Sequence, residues 1–77
     1  MIEKKIKDVM VKTFNCHFSE VDKNLSIGKI KAWDSLNHYK LVSNLERKFK
    51  IKFDDGEPET LTSFKIILST IKSYCDE

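Results

Sequence analysis

Apolar residues recur at helical spacing in three separate stretches of the chain. In the first, Ile2, Ile6, Val9, Met10 and Phe14 share one face, and Glu3, Lys4, Lys7, Asp8 and Lys12 fill the other. That pattern predicts an amphipathic helix over about residues 2–15. The second stretch, Leu36 to Phe49, is the longest. At about 100° per residue, Leu41, Val42, Leu45 and Phe49 fall in one sector that must face the core, and His38 falls inside it. Leu36 lies on the opposite side, in one row with Lys40, Ser43 and Arg47. In the third stretch, Phe64, Ile67, Leu68, Ile71 and Tyr74 or Cys75 supply the core stripe. Lys65, Ser69, Lys72 and Ser73 take the solvent side, and Thr62 is the expected N-cap.

Between the first two helices, residues 15–33 have no clean period. A connection this long is unusual in a compact domain and has to be either functional or well tied down. Phe18, Val21, Leu25, Ile27, Ile30 and Trp33 punctuate it, so it reads as a loop pinned to the core at several points, with Trp33 a buried anchor. After Phe49, Lys50-Ile51-Lys52-Phe53 alternates like a strand but has no second strand to pair with. It reads as an extended loop packing Ile51 and Phe53. The acids of Asp54-Asp55-Gly56-Glu57-Pro58-Glu59 lack calcium-loop spacing and read as a solvated turn. A short extra helix is expected from Pro58 to Leu61, with Pro58 at its first position. The fold class that results is all-α: a small helical bundle of three main helices and a short fourth, with a long loop between helices one and two.

Composition narrows the options. With 77 residues, 40% hydrophobic and 34% charged, the chain suits one soluble domain, expected to span residues 1–77. A domain of this size buries only about 60% of its unfolded surface, leaving a modest core and no room for a deep enzyme cleft. No apolar run approaches the roughly 20 residues of a membrane span, and the N-terminus has no signal-peptide core. A cytoplasmic location is expected, and with it free thiols at Cys16 and Cys75. Cys16 precedes His17, but no third residue orients the pair, and catalytic Cys–His pairs meet in space rather than in sequence. His38 reads as a satisfied core histidine. No acid–base pair, metal cluster or phosphate-cradling glycine loop stands at a useful spacing, so no enzyme is expected.

The junction Trp33-Asp34-Ser35-Leu36 holds the candidate chemistry. Asp34 has the short acceptor side chain of an N-cap. Ser35 then falls in the first helical turn, where backbone N–H groups lack helical partners and the helix dipole favours a phosphate group. Leu36, apolar and unclaimed by the core, reads as a partner-docking residue.

From Asp34-Ser35-Leu36 onward the chain resembles the acyl carrier proteins. The triplet matches that family's attachment motif. Leu41-Val42, Leu45-Glu46, Phe49, Phe53, the acidic turn and Thr62-Ser63-Phe64 continue the match, while residues 2–33 fit by layout only. The resemblance implies that Ser35 receives a 4′-phosphopantetheine arm from coenzyme A, installed by a Mg²⁺-dependent phosphopantetheinyl transferase. It further implies that the arm's thiol carries an acyl or aminoacyl group to loading and transferring enzymes. Asp34 would position the modifying enzyme or cap the helix, and Leu36 would dock partners together with Lys40, Ser43 and Arg47. Tyr39, Leu41, Val42, Leu61 and Phe64 are the candidates for lining a space for the acyl chain.

Fatty-acid carriers of the family are usually strongly acidic and dock through an acidic second helix. Here the net charge is +2 and that helix carries Lys40, Arg47 and Lys48. The expectation is therefore a specialised carrier, acting as a monomer with dedicated partners, outside bulk fatty-acid synthesis. Two other classes compete with this reading. A nucleic-acid-binding domain is usually far more basic than this chain. A carrier-like interaction module that is never modified would carry the same motif, and the modification state of Ser35 distinguishes it.

Overall fold

The computed structural model describes residues 2–75; residues 1, 76 and 77, assigned above to the same domain, lie outside the described residues. The fold is all-α. Helix α1 spans Ile2–Phe14, α2 spans Ser35–Phe49 and α3 spans Phe64–Cys75. Two single-turn 3₁₀ segments, Phe18–Glu20 and Pro58–Thr60, sit in the connections. The second is the short extra helix anticipated after the acidic turn, with Pro58 at its start. The first was not anticipated.

Helix α1 buries exactly the face its periodicity marks: Ile2, Ile6, Val9, Met10 and Phe14. Helix α2 buries His38, Leu41, Val42 and Leu45 against it, and α3 buries Phe64, Ile67 and Ile71. Phe49 is only half-buried. Both long helices end on a residue with positive φ: Asn15 (53°) and Lys50 (57°). Asparagine tolerates that conformation; lysine does so at a cost. At each end a further backbone bond closes the turn, Cys16 N–H to Val11 and Ile51 N–H to Glu46, as in a Schellman closure.

The long loop is held as expected, but by fewer anchors. Val21, Leu25 and Trp33 are buried and Ile30 is half-buried, whereas Phe18 and Ile27 are exposed. Phe18 lies over α1 instead, its ring 5.4 Å from Lys7 Nζ. Backbone bonds complete the attachment. Ile27 N–H donates to Thr62, Phe64 N–H donates to Leu25, and Ser26 and Ser63 form an isolated antiparallel bridge. This pairing also corrects the expected cap of α3. Thr62 is spent on the loop, and Ser63 is the N-cap, its Oγ accepting from Ile66 N–H. After α2, Phe53 is buried and Ile51 half-buried, as the alternation suggested. Glu46 holds this segment by accepting the Phe53 N–H at 2.8 Å.

Candidate functional site

Ser35 is the first residue of α2 and is exposed. Asp34 before it is extended, and its carboxylate accepts the Asn37 N–H at 2.9 Å. Its own carbonyl accepts the His38 N–H at 2.8 Å. Asp34 is therefore an N-cap, and its carboxylate is aimed at the helix rather than serving Ser35 as a base. The Asn37 side chain reaches back and donates to the Ala32 carbonyl at 2.8 Å, clamping the incoming chain from a second direction.

Beneath this cap lies a buried aromatic pair. Trp33 is 1% exposed, and its indole stacks against Phe14 of α1 at 5.4 Å. Its Nε1–H donates to His38 Nδ1 at 3.1 Å, and His38 Nε2 lies 2.7 Å from the Pro58 carbonyl. Indole nitrogen can only donate and a carbonyl can only accept. His38 is therefore the neutral Nε2–H tautomer, accepting from Trp33 and donating to Pro58. No buried side-chain polar atom is left without a partner among the described residues. The satisfied core histidine of the sequence reading is thus also a strut. It ties the first turn of α2 to the segment twenty residues downstream and to the residue before the cap. Trp33, Asn37 and His38 position Ser35; in sequence Trp33 carried a signal as an apolar anchor and His38 as a buried member of the α2 sector, while Asn37 carried none.

The other candidate residues separate clearly. Leu36 is 69% exposed, and Lys40, Ser43 and Arg47 are exposed beneath it on α2. Ser35, Tyr39, Val42 and Glu46 fall in a neighbouring row of the helix. Tyr39, Val42 and Glu46 border a surface groove of about 350 Å³, closed on its other side by Phe53, Asp55 and Pro58. Of the five residues expected to line a space for an acyl chain, only Tyr39 and Val42 border it. Leu41, Leu61 and Phe64 are fully buried in the core.

Cys16 and Cys75 are free thiols. Burial first, and then the Glu20 carboxylate, push the Cys16 thiol above its ordinary range. That is opposite to what an activated nucleophile requires. No group of three or more metal-ligating side chains occurs among the described residues, and no helix there is long and apolar enough to cross a membrane.

No protein-family model matches the chain. A curated protein from Clostridium acetobutylicum, named acyl carrier protein, is 27% identical over 77 residues, covering all of both chains. The chain is similar to an acyl carrier protein over its whole length. The resemblance that starts at Asp34-Ser35-Leu36 therefore extends through α1 and the long loop, where layout alone had suggested it. The name of that relative describes a carrier, not a catalyst.

Proposed function

We propose that this chain is an acyl carrier protein whose Ser35 bears a 4′-phosphopantetheine arm. The observation that supports it most directly is the placement of Ser35: an exposed hydroxyl on the first residue of a 15-residue helix, seated on the Asp34 cap and the Trp33–His38–Pro58 strut. A phosphodiester at that position meets free N–H groups and the positive end of the helix dipole, so the residues present fit the group. When attached, the arm supplies a terminal thiol that holds an acyl or aminoacyl group as a thioester. The chain's own part is to present the serine. On attachment the Ser35 Oγ–phosphorus bond would replace the pyrophosphate bond of coenzyme A, with adenosine 3′,5′-bisphosphate leaving; Asp34 is committed to Asn37, so the Ser35 Oγ proton goes to a base of the phosphopantetheinyl transferase. The protein is a carrier and not an enzyme.

The residues 1–77 act as one carrier domain, monomeric and cytoplasmic, in a specialised biosynthetic pathway rather than bulk fatty-acid synthesis. The basic exposed side of α2 supports this reading, because a positively charged partner surface would be repelled there. Leu36, Lys40, Ser43 and Arg47 form the docking side, and loading and transferring enzymes are its partners. The test is intact mass after incubation with coenzyme A, Mg²⁺ and a broad-specificity transferase, with Ser35→Ala alongside. A gain of one arm on the wild type alone is expected. No gain on a folded chain with several transferases would move the assignment to an unmodified interaction module.

A further inference from the structure

The exposed side of α2 continues onto α1. One shallow groove is bordered by Leu36, Lys40, Ser43 and Arg47, among others; a second, between the helices, by Asp8, Lys12, Arg47 and Lys48. Asn44 and Arg47 belong to both, so the two grooves form one surface. Asn44 fixes its floor, donating to Thr13 Oγ1 on α1 at 2.9 Å. The surface holds four cations, Lys12, Lys40, Arg47 and Lys48, against one carboxylate. None of these four takes part in an ion pair among the described residues, where Lys7–Glu3 is the one found. At the edge nearest Ser35 stands Leu36, the most exposed of the large apolar side chains. A protein that engages the first turn of α2 at Ser35 also meets Leu36, the next residue, at the edge of this surface.

We infer that this surface docks a partner protein whose contact face is rich in carboxylates around an apolar socket for Leu36. The inference rests on the carrier reading and specifies the partner's chemistry. Unpaired like charges repel a basic face and steer an acidic one, so they select among partners chiefly through the encounter rate. A nucleic acid would engage the same cations but has no use for Leu36.

A reciprocal charge swap tests this. A phosphopantetheinyl transferase that modifies the wild-type chain is compared with a version whose carrier-facing carboxylates are changed to lysine. Each is assayed by kcat/KM on the wild type, on Lys40→Glu/Arg47→Glu and on Lys65→Glu/Lys72→Glu, whose lysines are exposed on α3. With the unaltered transferase, Lys40→Glu/Arg47→Glu is expected to be roughly tenfold slower than wild type at low salt, and the lysine-faced version should reverse that order. The α3 double variant should stay within about twofold, and Leu36→Ala should slow both transferases. Equal rates for Lys40→Glu/Arg47→Glu and wild type, or an equal loss in the α3 variant, would overturn the inference and leave the carrier reading standing. Failure of the unaltered transferase to add an arm would remove the carrier reading and this inference with it. Salt-sensitive binding of a duplex oligonucleotide that ignores Leu36→Ala would assign the surface to nucleic acid instead.

Discussion

His38→Phe removes the strut under Ser35 while keeping an aromatic ring of similar size. The Trp33 Nε1–H, on a residue 1% exposed, loses its only acceptor. A buried donor left unpaired costs about 1–3 kcal/mol. The Pro58 carbonyl also loses its donor, but Pro58 is half-buried and water can partly replace it, so its loss adds up to about 1 kcal/mol. The expected destabilisation is about 1–4 kcal/mol, a large share of the total for a domain this small. Urea unfolding followed by circular dichroism and by the fluorescence of Trp33, the single tryptophan, measures it. A cycle with Trp33→Phe separates the pair from general loss of fit. With the indole N–H gone, His38→Phe should cost less by about 1 kcal/mol or more. A cost below about 0.5 kcal/mol for His38→Phe, or strict additivity in the cycle, would refute the reasoning.

Asp34→Ala should lower stability by about 1 kcal/mol through loss of the bond to Asn37 N–H, and Asp34→Ser should restore most of it in the same urea assay. Lys50→Gly should raise the unfolding free energy by a few tenths to about 1 kcal/mol, since the left-handed φ at Lys50 strains a lysine; a lower unfolding free energy would contradict it. The Tyr74 hydroxyl donates to the Glu57 carboxylate, and this bond foremost raises its phenol above the ordinary tyrosine range. A group whose folded value is raised stabilises the fold below its unfolded value, near pH 10, and loses that contribution as pH climbs through the folded value. Ultraviolet titration should show one phenol moving down in Glu57→Gln; no movement would show that the bond is not made.

How much was legible in the sequence depended on how local the cause was. The face of α1 and most of the α2 sector followed from spacing alone, because burying an apolar stripe is all those residues do. The Asp34 cap was readable because its partner stands three residues away. Thr62 was misread as the α3 cap because the neighbouring Ser63 is chemically almost equivalent. The choice was made by Ile27, which claims the Thr62 carbonyl from far away in sequence. Phe18 and Ile27 looked like anchors by hydrophobicity, yet the core was already filled by Val21, Leu25 and Trp33. The His38 strut was invisible for the same reason: its burial could be read from the helical period, but Pro58 lies on a separate segment. For the site, the exposure of Ser35 and the row of Leu36, Lys40, Ser43 and Arg47 needed only helical geometry. The merging of that row with Lys12 of α1 needed the tertiary fold.

The central claim is that Ser35 is an attachment point, and its most direct test is the intact mass of the protein isolated from its own cells. One phosphopantetheine, free or acylated, localised to Ser35 by peptide fragmentation, is the predicted result. An unmodified Ser35 throughout the population, in cells whose transferase modifies other carriers, would contradict it.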